Sequence, residues 1–392
     1  MPITNSLRHW LGLERNIVVM LAGILILGMG EELWTRFVPK YLELLGAGAW
    51  IVAIYGTLKD LLDAVYQYPG GWLADRLGRR RSLVLFTLLA VLGYILYFIS
   101  STWHLLLLGT VFVMAWSSLT LPATFAVIGD NLGSDRRAIG FGVNSILKRI
   151  PIVLAPFFGG WLITSYGFSP GFKIGLAITI LLAFLSIFVL VRFYEEKPRA
   201  PDPSRFADIW RSMSPDLKRL LVADCLARWA EGIPKVFVVL YTMNVLQVNA
   251  FQFGWLTSLQ QLAAILVYIP IAKLADRMNR KPFVLVTFAF FAFFPLMLAS
   301  ASHFFLIVVA FLVAGLREVG EPARKAMIVD FAPENARGRA VGIYYLIRGL
   351  VVFPASLVGG WLWMMNQQFP FYAAFFVGVT GCLAYAALAR KE

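Results

Sequence analysis

About twelve stretches of this chain are apolar over the roughly 20 residues that a helix needs to cross a bilayer, near 17–45, 49–71, 82–100, 103–129, 138–164, 170–193, 216–246, 251–273, 283–300, 303–329, 339–364 and 370–388. No other sequence feature restricts the fold as much. A backbone in hydrocarbon must satisfy its own polar groups, so such runs are helices and the chain is an all-α integral membrane protein. The loops between them alternate in charge. Those at 75–81, 130–137, 192–219, 276–281 and 334–339, with both ends of the chain, carry the loop Lys and Arg; those at 46–49, 100–103, 166–171, 247–250, 299–303 and 366–370 contain none. The positive-inside rule then places both termini in the cytoplasm, with an inner (plasma) membrane location expected. A formal net charge of +13 in a chain 59% hydrophobic and 15% charged is therefore mostly topological, and a nucleic-acid partner is excluded. Residues 1–15 are polar and basic without an apolar core, which reads as a cytoplasmic lead-in and not a signal peptide. Cys225 and Cys382 lie in apolar runs and read as packing residues.

One connection is long, proline-rich and charged: Glu195-Glu196-Lys197-Pro198-Arg199-Ala200-Pro201-Asp202-Pro203-Ser204-Arg205. It divides the chain into a six-helix bundle at 1–193, a cytoplasmic linker at 194–215 and a second six-helix bundle at 216–392. The halves are an internal repeat offset by close to 200 residues. Pro122-Ala123, Asp130, Gly142, Lys148 and Gly159-Gly160-Trp161-Leu162 return as Pro322-Ala323, Asp330, Gly342, Arg348 and Gly359-Gly360-Trp361-Leu362. Glu31, Phe37-Val38 and Tyr41 return as Glu231, Phe237-Val238 and Tyr241.

Between the second and third apolar runs stands Gly70-Gly71-Trp72-Leu73-Ala74-Asp75-Arg76-Leu77-Gly78-Arg79-Arg80-Arg81, and a shorter version, with Asn279 for the second glycine, stands at Ala272-Lys273-Leu274-Ala275-Asp276-Arg277-Met278-Asn279-Arg280-Lys281. Both resemble the loop signature of the major facilitator superfamily of membrane transporters. The resemblance implies twelve helices in two pseudo-symmetric bundles, a substrate held near the midplane and alternating access. It also implies that Gly71, Asp75, Arg76, Gly78, Arg79, Arg80, Asp276 and Arg277 form the conformational loops, and that the third, sixth, ninth and twelfth helices lie outermost. Leu154-Ala155-Pro156-Phe157-Phe158-Gly159-Gly160 resembles the end of the fifth-helix motif of exporting members, with Ala155 where glycine is usual. Glu32-Leu33-Trp34-Thr35-Arg36-Phe37 partly resembles the first-helix motif of proton-coupled peptide importers, with Thr35 replacing its second glutamate. The basic residue that many proton-coupled exporters carry in the fourth helix is missing, since 105–118 holds no Arg or Lys.

Charges inside membrane helices cost around 2.5–3.5 kcal/mol each on insertion scales, so they pair or face an aqueous cavity. Glu32, Arg36, Lys40 and Glu43 share one face of the first helix, and Asp224, Arg228, Glu231 and Lys235 one face of the seventh. Lys59, Asp60 and Asp63 lie in the second, Lys148-Arg149 in the fifth, Arg317-Glu318, Glu321 and Arg324-Lys325 in the tenth, and Arg348 in the eleventh; the third, sixth, ninth and twelfth have none in their interiors. Arg36, Lys148, Arg149, Arg228, Arg317 and Arg348 are the candidates for binding a substrate that bears negative charge. Glu31, Glu32, Asp60, Asp63, Glu231, Glu318 and Glu321 are the candidates for proton coupling or gating. Permanent ion pairs at Glu32 with Arg36 and Arg228 with Glu231 are the competing structural reading, at spacings where such pairs form readily.

The expectation is a secondary active transporter, not an enzyme, moving a small anionic or carboxylate-bearing organic solute by exchange or with protons, export favoured. It would act as a monomer in the lipid bilayer, without a cofactor or metal, since no nucleotide-cradling loop or ligand cluster is visible. Efflux or flipping of amphipathic drug-like or lipid-like compounds, with the internal charges as gates, is the alternative. A non-transporting sensor or assembly partner is the alternative of another class, and the lack of an extra cytoplasmic domain weighs against it.

Overall fold

The computed structural model describes residues 15–120, 124, 127, 137–195, 213–277, 281–331 and 337–389. All regular structure among them is helical, and it falls into twelve successive elements. These are α1 (Arg15–Leu44), α2 (Ala49–Leu77), α3 (Arg79–Ile99), α4 (Trp103–Leu119), α5 (Arg137–Tyr166), α6 (Phe168–Phe193), α7 (Pro215–Gly232, then Phe237–Leu240 and Tyr241–Val245) and α8 (Ala250–Arg277). Then come α9 (Lys281–Ala299), α10 (Phe304–Leu316, then Glu321–Asp330), α11 (Arg337–Val352, then Ala355–Met365) and α12 (Phe369–Ala389). Eight contain a window long and apolar enough to cross a membrane. The stretches Trp103–Leu119 and Phe304–Leu316 are shorter apolar helices. What keeps α2 and α7 off that list is their charge: Lys59, Asp60 and Asp63 in one, Asp224, Arg228 and Glu231 in the other.

Several runs that read as single helices in the sequence are broken. Apolar periodicity continues across the breaks, but proline does not: it has no N–H to give and its ring collides with the preceding turn. In α7 the helix opens at 233–236 around Pro234, where Phe237 N recovers a bond to Pro234 O at 2.8 Å. In α11 it opens at Phe353 and Pro354. In α10 it opens at 317–320, the second segment having proline in its first turn, and Gly320 N donates to Thr287 Oγ1 of α9 at 2.5 Å. At comparable places the first half has a 3₁₀ turn at Thr35–Phe37 and a π-helical turn at Ala115–Leu119.

The contacts group into two compact units, one of Met1–Gly46 and Leu62–Asp202, the other of Ala47–Leu61 and Pro203–Glu392. In the first unit α6 lies along α1 and also meets α3 and α5. Trp34 is the centre of that packing: Tyr94, Tyr97 and Phe172 meet its ring edge to face, and its Nε1 donates to Thr179 Oγ1 at 3.0 Å. The outer face of α6 is apolar and open, Leu181 being 70% and Phe188 59% exposed, as a lipid-facing helix requires. In the second unit α12 packs on α7 and α9, and Leu217, Leu221, Phe288, Phe291, Ile343, Tyr344 and Tyr385 fill one core.

The junction of α2 and α3 is a single residue, Gly78, at φ 89°, a left-handed conformation that only glycine adopts without strain. Ser82 Oγ donates across the turn to Leu73 O at 3.0 Å, Arg79 is buried, and Arg76 stacks on Trp72 at 4.2 Å. The surroundings of Gly71 and the side chains of Asp75, Asp276 and Arg277 lie outside what the structure describes, as does most of the linker.

Candidate functional site

The second unit contains a chain of alternating charges built on α7, α10 and α11. Asp224 of α7 is fully buried. Its Oδ2 accepts hydrogen bonds from Arg324 Nη1, from Tyr344 OH at 2.9 Å and from Arg348 Nη1 at 3.4 Å. Arg324 turns its other nitrogens to Glu321, with Nη2 to Oε2 at 2.6 Å and Nε to Oε1 at 3.2 Å. Glu321 also takes Arg228 Nη2, and Arg228 Nη1 donates to Glu231 at 2.7 Å. Glu231 then faces Arg317 Nη1 at 3.7 Å. The sequence of charges runs Arg348, Asp224, Arg324, Glu321, Arg228, Glu231, Arg317, with a guanidinium at each end.

Local geometry explains this order. Asp224 and Arg228 are four apart on α7, Arg228 and Glu231 three apart, and Glu321 and Arg324 three apart on α10, so each pair shares a helix face. The break at 317–320 begins at Arg317, whose Nε donates to Ala314 O at 2.9 Å while its guanidinium lies over Phe291 and Phe294 at 5.2 and 5.1 Å. Arg228 lies over the same Phe291 at 5.0 Å. Two atoms at the centre lack a hydrogen bond among the described residues: Asp224 Oδ1 and Arg228 Nε, which face each other at 3.7 Å. Nearer the break in α7, Lys235 pairs with Asp60 at 2.6 Å.

Arg348 is the loosest member. Of the five N–H donors of its guanidinium, the structure uses one, at 3.4 Å, on an oxygen that already accepts from Arg324 and Tyr344. Its face lies over Tyr345 at 4.6 Å, and its side chain keeps 22% exposure.

The first unit is held differently. Tyr94 OH donates to the Glu31 carboxylate at 2.5 Å, and Ser118 Oγ to Asp63 at 2.8 Å. Arg36 meets Glu32 at 3.4 Å and Lys40 meets Glu43 at 2.7 Å. Lys148 of α5, the counterpart of Arg348 in the repeat, is half-buried and has neither an ion pair nor a hydrogen bond among the described residues. The sequence accounts for the contrast, because Ile24 and Leu121 stand in the first half where the second has Asp224 and Glu321. Arg149 and Glu318 are half-buried and each is engaged by neighbours.

Of the sequence candidates, the structure thus brings Arg228, Glu231, Arg317, Glu321 and Arg348 into one network. It sets Arg36 with Glu32, Glu31 with Tyr94, Asp63 with Ser118 and Asp60 with Lys235, and leaves Lys148 apart. Asp224, Arg324 and Tyr344, which join the network's parts, were not among the candidates; the signal for the first two was their spacing to Arg228 and to Glu321. Among the described residues no three His, Cys, Asp or Glu side chains are grouped to hold a metal ion.

Comparison with known proteins gives a consistent result. The sequence profile described as Major Facilitator Superfamily matches residues 20–229 and 220–392. An MFS-type transporter of Methanocaldococcus jannaschii is 21% identical, with 95% of this chain and 94% of the relative covered. Multidrug resistance protein MdtG of Escherichia coli is 24% identical, over 93% of this chain and 91% of the relative. Among solved structures, a peptide transporter, POT, in complex with sulfate superposes with a TM-score of 0.77 at 16% identity, covering 96% of this chain and 94% of the other.

Proposed function

The chain belongs to the major facilitator superfamily of membrane transporters, and from that premise we propose that it moves a small organic anion across the inner membrane, in exchange or with protons, in the direction of export. It is a multi-pass membrane protein of that family and not an enzyme. One observation carries the anionic reading. The two repeat-related cations Lys148 and Arg348 sit half-buried inside their units with most of their donors unused, the first without a partner among the described residues, the second with a single long contact. A cation in such a place costs insertion energy unless something negative meets it, and a carboxylate or phosphate on the solute supplies that charge.

The acids divide by the same argument. Asp224 and Glu321 are each held by at least two guanidiniums, so protonating either would strand buried positive charge; they hold the second unit together. Glu31 and Asp63, which accept hydrogen bonds from the hydroxyls of Tyr94 and Ser118, are the proposed proton carriers. Cytoplasmic termini and a monomeric state complete the reading.

A test is thermal stabilisation of the purified protein by a panel of organic anions, since a ligand of the native state raises stability with concentration over Kd. Anions should stabilise the wild type, and Lys148→Gln and Arg348→Gln should each weaken that response by about ten-fold in concentration, the order of one charge-assisted hydrogen bond. If neither anions nor these variants matter and only amphiphilic cations or neutral drugs act, the anionic reading fails. The second reading, efflux of drug-like compounds, draws support from the MdtG relatives, and in it the Arg228 to Glu321 network acts as a gate.

A further inference from the structure

Outside the charge network, an open groove of about 360 Å³ lies between the first turns of α3 and the end of α6, lined by Arg80, Arg81, Val84, Leu85, Leu88 and Val191. Its two ends differ in chemistry. At one end stand Arg80 and Arg81 in the first turn of α3, a helix that starts at Gly78 with no side chain capping its amides. Arg81 is exposed and has neither an ion pair nor a hydrogen bond among the described residues. Toward the other end Val84, Leu85 and Leu88 follow at helical spacing, so that they continue the Arg81 stripe, and Val191 closes the trough from α6. Leu88 is 45% and Val191 53% exposed.

A soluble anion would use the arginines and leave the trough empty, and a fatty chain would use the trough and leave the arginines. We propose that this groove seats an anionic phospholipid of the surrounding bilayer, its phosphate on Arg80 and Arg81 and one acyl chain along Val84, Leu85, Leu88 and Val191. Guanidinium matches phosphate in a two-pronged fashion, the uncapped end of a long helix adds positive potential, and basic residues at a membrane surface attract anionic lipid. The groove's lining residues all belong to the first unit.

The experiment uses the full-length protein in detergent, with phosphatidylglycerol and phosphatidylcholine of the same chain length, read by native mass spectrometry for bound lipid and by the melting shift. Phosphatidylglycerol should be retained in preference to phosphatidylcholine. Arg81→Gln should weaken its retention about five-fold, as expected for one basic group at the membrane surface. Val191→Trp, which fills the trough and leaves both arginines in place, should also reduce retention. Both positions are exposed, and equal melting of wild type and variants without lipid is the check on folding. Equal retention of the two lipids, with no effect of Arg81→Gln, overturns the proposal. So does full competition by water-soluble glycerol phosphate with no effect of Val191→Trp, which would leave a phosphate site without a lipid groove.

Discussion

Gly359 packs against Ile233 so closely that a methyl group on its Cα would overlap the Ile233 carbonyl oxygen, and Gly159 stands in the same relation to Leu33 in the first unit. Both members of the pair are displaced by the repeat offset of 200 residues, so the internal repeat is a repeat of contacts as well as of letters. Small residues let membrane helices approach to backbone contact, which is where their association energy comes from.

Gly359→Ala and Gly159→Ala should therefore each lower stability by about 1–3 kcal/mol, the usual cost of overpacking. Gly342→Ala, whose added methyl would meet nothing within 4 Å, is the control and should be near neutral. Melting temperatures of the three variants in one detergent decide this.

Asp224→Asn should be far more damaging than its small change in shape suggests. It leaves Arg324, Arg348 and Tyr344 around a neutral amide in a buried place, at a cost of about 3–5 kcal/mol for a broken buried pair. Removing Arg324 at the same time, as Asp224→Asn with Arg324→Gln, should recover part of the loss. A double-mutant cycle on unfolding in detergent would show a coupling of that sign, and strict additivity would mean that the two residues do not act as a pair.

Lys148→Met should leave stability unchanged or raise it, because it removes a half-buried charge with no partner among the described residues. Arg228→Met, by contrast, strips Glu231 and Glu321 of a partner and should destabilise by several kcal/mol. Equal loss in both variants would mean that Lys148 has a structural role.

Gly78→Ala should cost about 1 kcal/mol or more, since its φ of 89° is strained for any residue with a Cβ. The turn it makes joins α2 to α3 directly, so the same change should slow transport in vesicles more than it weakens solute binding.

The twelve-helix architecture could be read from the sequence because its cause is local. Each apolar run is long enough to cross a bilayer by itself, and loop charge fixes its neighbours. The repeat pairs, the acid and base spacings on α7 and α10, and the family were legible for the same reason: they are short-range patterns. The breaks in α7, α10 and α11 were not, because apolar periodicity continues through Pro234, through the Arg317 turn and through Pro354. Nor was the joining of Asp224 to Arg324, Tyr344 and Arg348, which are 100, 120 and 124 positions away. Sequence alone determined that these charges had to be answered inside the membrane, since leaving them unanswered is costly. Tertiary structure alone decided which partner answers each one, because only the packing of α7 against α10 and α11 brings Asp224 within reach of Arg324, Arg348 and the Tyr344 hydroxyl, and the first half, with Ile24 in the corresponding place, offers Lys148 no such acid.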